Sequence, residues 1–428
     1  MQIDREAYRR ALRERRAGSV TELWLANCFV LDTKSCRFSG PCNIHVVADK
    51  IAAVTKEALP KDCKFVDLKR RCYVIPGLCD AHIHCTASTA NLPGLLSLPE
   101  SLVTAQAALE LEQMLARGFT TVRDAGGADF GIAQALDEGA LVGPRLLFVG
   151  HALSQTGGHG DFRGKGEDTC ACGAALRGIG RTCDGDAEVR KAARDELRKG
   201  AHCIKIMASG GVSSPTDRLT NTQFSEAEIT AIVEEAAANK TYVCAHAYNS
   251  DAIARCLRCG VRSIEHGNLL DDPTAKLMKM RGAYLVPTLI TYEKLVSEGA
   301  AAGLAQDLVD KVGTLLADGI KAVTLAHNHG IPVAFGSDLL GDMRKHQSQG
   351  LRVQAQACSP ADVIRSATRT CASLFQMDGL IGEVAEGCFA DLIVLDRDPL
   401  EDITVFERPE EFVAVMHNGV FVRKQAGL

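Results

Sequence analysis

Pro76-Gly77-Leu78-Cys79-Asp80-Ala81-His82-Ile83-His84 is the stretch from which the fold is read. It leaves a Pro-Gly corner, runs through a short apolar segment and ends in His-x-His. Alternate side chains of a β-strand share a face, so His82 and His84 point at one spot. Similar runs recur along the chain, at 72–84, 119–125, 145–150, 203–209, 242–246, 263–266, 283–289 and 333–338, and most end in polar residues. Segments of helical period lie between them at 101–117, 186–199, 225–239, 251–258 and 271–281, with another at 359–375 after the last run. Ser225 followed by Glu226 and Glu228 marks a helix start, where a hydroxyl caps and acids meet the positive dipole end. Strand followed by helix, eight times over, predicts an α/β protein of the (β/α)8 TIM-barrel type rather than an open sheet.

Both chain ends break this rhythm. Short alternating strands are expected at 23–26, 43–47 and 51–54, and again at 392–395 and 412–417. The Asn418-Gly419 turn then leads into 420–422. Asn-Gly between two β runs signals a hairpin. The expected division has three parts. Residues 1–76 supply an N-terminal helix ending at Gly18 and part of a small β-sandwich. Residues 77–380 form the barrel, and 381–428 complete the sandwich.

At 428 residues, with 46% hydrophobic and 24% charged, the chain suits a barrel plus a satellite domain. A net charge of −5 gives no basic face for a phosphate backbone, so no nucleic-acid partner is expected. No apolar run approaches the ~18 residues of a membrane helix, and none is expected to enter a membrane. The first 18 residues, rich in Arg and Glu, lack the apolar core of a secretory leader. The expected location is therefore cytoplasmic. The 17 cysteines are odd in number and scattered, as free thiols in a reducing compartment would be. Cys256 and Cys259 read as small hydrophobes. For Cys170, Cys172 and Cys183, thiol, local zinc site and disulfide all stay open.

Metal-type side chains fall at the ends of the runs. Besides His82 and His84 there are Lys205, flanked by Ile204 and Ile206, then His246, His266 and Asp338. Each has a plain explanation alone. A strand histidine is usually a hydrogen-bonded core residue, an aspartate at a strand end is usually a helix cap, and a lysine can snorkel or pair with an acid. Together they converge, because catalytic groups of this fold come from the C-terminal ends of several strands. The set therefore predicts a metal centre.

This pattern resembles the amidohydrolase superfamily along the whole chain. Ser154-Gln155-Thr156-Gly157-Gly158-His159-Gly160-Asp161, Met207-Ala208-Ser209-Gly210-Gly211-Val212, Glu265-His266-Gly267-Asn268 and Val286-Pro287-Thr288-Leu289 resemble one branch of it. That branch holds prolidase-like dipeptidases, N-acyl-amino-acid hydrolases and ochratoxinase-like enzymes. The resemblance implies two divalent metal ions. His82, His84 and Asp338 would hold one, and His246 and His266 the other. Lys205, carboxylated by carbon dioxide, would bridge them. A protonated lysine would repel two dications, whereas a carbamate offers them two oxygens; burial favours the neutral amine that carboxylation needs. Such donors suit zinc. Asp338 would take a proton from water and return it to the leaving nitrogen.

For the substrate, His159 sits in a Gly-rich loop where it would hydrogen-bond the oxyanion or substrate. Tyr248 shares the strand face of His246, and Arg218 follows a Gly-rich loop. Those two residues favour a small-molecule amide with a free carboxylate, which Arg218 would bind bidentately. Xaa-Pro-type dipeptides, N-acyl amino acids and ochratoxin-like amides fit that description. Two alternatives are a cyclic-amide hydrolase resembling imidazolonepropionase and a non-catalytic scaffold like the dihydropyrimidinase-related proteins. The family resemblance also implies a homo-oligomer.

Overall fold

The computed structural model describes residues 3–427 apart from 165–177, 215, 304 and 311. The N-terminal helix, Arg5–Arg16, is capped by Asp4 and followed by Gly18 at φ +88°, as expected. Strands β1 (Glu22–Asp32), β2 (Arg37–Val47), β3 (Lys50–Thr55), β4 (Phe65–Asp67) and β5 (Tyr73–Pro76) come next. They join β15 (Leu392–Leu395), β16 (Ala414–His417) and β17 (Val420–Lys424) from the other chain end in one mixed sheet. Its order is β17-β16-β15-β5-β1-β2-β3, with β4 beside β1. Ile75 pairs with Ile393, which stitches the two ends together. Burial alternates with the period of two that a strand imposes. Val74, Val394 and Met416 pack into one core with Leu25 and Ile44, while Ile75, Ile393 and Val415 pack into another with Leu111 and Phe119. The expected hairpin is present, with Asn418 at φ +49° and Gly419 at φ +72° between β16 and β17.

The central strands are β6 (Leu78–Ile83), β7 (Phe119–Asp124), β8 (Arg145–Phe148), β9 (Ala152–Ser154), β10 (Gly180–Thr182), β11 (Ile204–Met207), β12 (Val243–Asn249), β13 (Ser263–Leu269) and β14 (Tyr284–Val286). They form two parallel sheets, β6-β7-β8 and β10-β9-β11-β12-β13-β14. Helices such as Glu100–Ala116, Gly185–Arg198, Glu226–Ala238, Ser250–Cys259 and Asp272–Arg281 separate them, near the predicted segments. Ser225 and Glu228 make a reciprocal capping box. Most strand residues here are buried on both faces, as parallel strands covered by helices must be.

Three expectations need correction. The run 72–84 is two strands in different sheets, pivoting at Gly77. Any Cβ at Gly77 would lie 2.1 Å from Thr120 Oγ1, so only glycine fits the corner. The run 333–338 forms no strand. It makes one bridge, Val333 to Leu285, and two backbone bonds to the first strand: Ala81 N–H to Phe335 O at 2.8 Å and Asp338 N–H to His82 O at 2.8 Å. The expected helix at 359–375 is present as a continuous one from Pro360 to Leu374, widened to a π turn at Ser366–Thr370. Strands β9 and β10, three residues each and beyond the third run, were not anticipated; Gly150 at φ +73° separates β9 from β8.

Among the described residues no helix is long and apolar enough to cross a membrane. The described cysteines are free thiols, Cys183 and Cys256 buried among them; Cys170 and Cys172 lie outside the described residues.

Candidate active site

His82, His84, Lys205, His246, His266 and Asp338, the six side chains singled out from the sequence, line one small cavity. β6 delivers His82 and, one residue past its end, His84; β11 delivers Lys205, β12 His246 and β13 His266. The backbone bond to His82 places Asp338. His82, His84 and Asp338 offer ligand atoms that all lie within 4.8 Å of one another. The His266 ring is 5.1 Å from that of His82 and 4.5 Å from that of His246. His266, Thr288 and Asp338 all have left-handed backbones, at φ +73°, +47° and +51°. Each such residue costs on the order of 1–3 kcal/mol, a strain that clusters at functional sites.

One ring nitrogen of each imidazole is already held by the protein. His82 Nδ1 lies 2.8 Å from Glu265 Oε2, and His84 Nδ1 lies 2.8 Å from the Gly126 carbonyl. His266 Nδ1 lies 2.8 Å from Thr288 Oγ1, and His246 Nε2 lies 3.2 Å from the Gly210 carbonyl. The second nitrogen is left to ligate, which is how ligating histidines are usually oriented. Burial pushes His266 down to about 3, and holds His82 and His246 well below the ordinary imidazole value. These rings are therefore neutral at neutral pH, the form that binds metal. Burial pushes the Asp338 carboxyl up, but the neighbouring histidines pull it below the ordinary carboxylate range; His84, whose Nε2 is 3.3 Å from Asp338 Oδ1, is raised in turn. Neutral imidazoles and an ionised carboxylate around one cavity fit a divalent metal.

Lys205 is almost fully buried. Among the described residues no carboxylate lies within ion-pairing distance of its Nζ, and burial lowers its pKa below the ordinary lysine value.

Behind the ligands stand groups that the sequence reading did not single out. Glu265, fully buried, bridges His82 to Arg123, whose Nη2 donates to its other oxygen at 2.8 Å. Arg123 also donates to the Ala81 carbonyl at 2.7 Å. Asp80 accepts from the backbone N–H groups of His82 and Ser337 and from Gln347 Nε2. The available signal was a charge inside an apolar run, as at Arg123 and at Glu265 beside His266.

The three proposed substrate contacts separate. His159 lines the cavity and stacks on His246 with ring centroids 4.2 Å apart. Tyr248 lines it too, stacked on His266 at 5.0 Å with its hydroxyl 3.2 Å from that of Tyr292. Arg218 does not. Its side chain is exposed, and only its backbone reaches inward, against Gly210. The side chain that this loop buries is the neighbouring Asp217. Leu92, Ile179, Met207, Val212, Leu295 and Leu340 give the cavity an apolar wall.

The sequence profile of the amidohydrolase family matches residues 73–422, which span both parallel sheets and the cavity. The chain belongs to the amidohydrolase family. It is accordingly a hydrolase acting on amide bonds, in a family that is typically metal-dependent. The chain is 34% identical over 394 residues to the ochratoxinase of Aspergillus niger, covering 87% of this chain and 81% of that protein. Its structure resembles a prolidase solved in complex with N-methylphosphonate-L-proline, with a TM-score of 0.92, 44% identity and coverage of 95% of this chain and 100% of the other. It also resembles an Xaa-Pro dipeptidase with methionine bound in the active site, with a TM-score of 0.81, 26% identity and coverage of 94% and 99%.

Proposed function

We propose that this amidohydrolase cleaves the amide that joins an acyl or aminoacyl group to an amino acid with a free carboxylate, as in Xaa-Pro dipeptides and N-acyl amino acids. The observation that carries the reading is the convergence on one cavity of four histidines, an aspartate and a buried lysine that, among the described residues, has no carboxylate within ion-pairing distance. The prolidase and ochratoxinase relatives support this substrate class.

In this reading His82, His84 and Asp338 would hold one divalent ion, His246 and His266 the other, and carboxylated Lys205 would serve both. Its neutral Nζ adds to carbon dioxide, forming an N–C bond and releasing a proton. Zinc suits these donors. The chemistry such ions would supply is polarisation of a scissile carbonyl and a more acidic water. Asp338 takes the proton of the attacking water and hands it to the leaving nitrogen. His159 hydrogen-bonds the substrate from the cavity wall. Tyr248, rather than the exposed Arg218, faces the carboxylate.

The two parallel sheets are read as one (β/α)8 barrel over 77–380, closed through the Phe335 and Val333 contacts. The sheet from 1–76 and 381–428 is read as a sandwich beside it.

Elemental analysis, combined with turnover of Xaa-Pro dipeptides, N-acyl amino acids, their amidated analogues and cyclic amides, tests the reading. Metal-dependent turnover of the free acids is expected. Turnover confined to cyclic amides, or unaffected by metal removal, would overturn it.

A further inference from the structure

The loop carrying His159 is tied at both ends of that residue to one carboxylate. Ser214 Oγ donates to Asp217 Oδ1. A hydroxyl has one hydrogen, so toward His159 the same oxygen can only accept. His159 Nδ1 lies 2.8 Å from Ser214 Oγ and is therefore the donor of that pair. On the backbone side, the His159 N–H donates to Gln223 Oε1 at 2.8 Å, and Gln223 Nε2 donates to Asp217 Oδ2 at 2.8 Å. Asp217, Ser214, Gln223 and His159 are all buried. Nδ1 is 3.9 Å from Asp217 Oδ2, beyond direct hydrogen bonding, so Ser214 carries the link. Sterics close the clamp. A Cβ on Gly211 would meet His159 Cε1 at 2.2 Å, while His246 covers a face of the ring.

We propose that Asp217 is a positioning residue which, acting through Ser214, fixes the His159 ring with its hydrogen on Nδ1. The sign of every bond in the chain follows from the carboxylate, which can only accept. In the neutral ring, Nε2 then carries the lone pair, and the loop presents one defined hydrogen-bonding pattern to the substrate. The functional consequence rests on His159 facing the substrate; the placement of the hydrogen does not.

The test is Asp217→Asn, with Ser214→Ala as a second variant. An amide at 217 can donate to Ser214 Oγ, turning the serine hydroxyl round so that it donates to His159 Nδ1. The hydrogen of His159 should then move to Nε2. Histidine ring nitrogens in nitrogen-15-labelled protein report this directly, with His159→Gln assigning the signal. No substrate is needed, so the readout stands even if the amide substrates named above are wrong. In Asp217→Asn, kcat/KM should also fall roughly ten- to a hundred-fold, the usual size for losing an orienting partner, with bound metal unchanged. Wild-type ring-nitrogen shifts in both variants would overturn the proposal. So would a fall in activity matched by loss of metal, which would make Asp217 a support of the ligand shell instead.

Discussion

Glu265→Gln is the perturbation that best separates a metal site from a merely packed core. Glu265 is fully buried between two donors, Arg123 Nη2 at 2.8 Å and His82 Nδ1 at 2.8 Å, and Ser263 Oγ also donates to it at 2.7 Å. Glutamine keeps the shape but offers one acceptor and one donor. Its NH2 must face either Arg123 or His82. Whichever way it faces, the buried Arg123 guanidinium loses its counter-charge because glutamine is neutral, and removing one partner of a buried pair costs about 3–5 kcal/mol. For a chain of 428 residues the unfolding entropy is about 0.9 kcal/mol per kelvin. The melting temperature of the metal-free protein should therefore fall by about 3–6 °C. If the NH2 faces His82, Nδ1 must give up its hydrogen and Nε2 takes it, blocking the ligating lone pair. Metal affinity should then fall roughly ten- to a hundred-fold. Calorimetry of the metal-free protein and competitive metal titration read the two effects separately. Arg123→Met added to Glu265→Gln should recover much of the lost stability but none of the lost affinity. A Glu265→Gln protein that melts within a degree of wild type and binds metal as tightly would refute this account of the buried triad.

Three further outcomes follow from the structure. Lys205→Ala should lose most bound metal and activity, with partial rescue by short carboxylic acids; full metal content in that variant would remove Lys205 from the centre. Arg218→Ala should leave kcat/KM for free-acid substrates within about twofold of wild type, because its side chain is exposed. Tyr248→Phe should lower it by roughly tenfold or more, the value of a charge-assisted contact, while sparing amidated analogues; the reverse pattern would restore Arg218. Away from the site, burial pushes His417 down to about 4, among Tyr8, Asp391, Arg145 and Arg15. A histidine lowered in the folded state adds stability that is complete above its unfolded pKa, near 6.5, and is lost as pH falls towards 4. Between pH 7 and pH 5 that loss is about 2 kcal/mol. Denaturant midpoints of wild type and His417→Gln at those two pH values check it, and an equal loss in both would sink the assignment.

Much of the fold was legible because it rests on period and punctuation. Parallel strands buried on both faces read as apolar runs, and Asn418-Gly419 reads as a hairpin from residue type alone. The misread elements are those where tertiary contact overrides local pattern. The run 72–84 looks continuous because both its halves are buried, and the change of sheet is written only in Gly77, whose absent side chain makes room for Thr120. The run 333–338 has the composition of a strand. Its last residue turns into the left-handed region, however, and its backbone bonds reach β6 and β14 through single contacts rather than a ladder.

In the site, the candidate ligands were legible and their holders were not, and the reason is chemical. A ligand must be a histidine, lysine or acid, so type and spacing can reveal it. A holder need only supply one acceptor at the right place, and at two of the four imidazoles that acceptor is a main-chain carbonyl, of Gly126 and of Gly210. A carbonyl leaves no letter in the sequence. What does appear is the demand it makes on its own residue. Gly126 sits at φ +156°, and a Cβ on Gly210 would come within 1.9 Å of the Arg218 carbonyl. Gly126 and Gly210 are where the orientations of His84 and His246 are set. The same logic explains the misreading of Arg218. Its backbone is what Gly210 makes room for, so the residue belongs to the support of His246 through its main chain, while its guanidinium points to solvent.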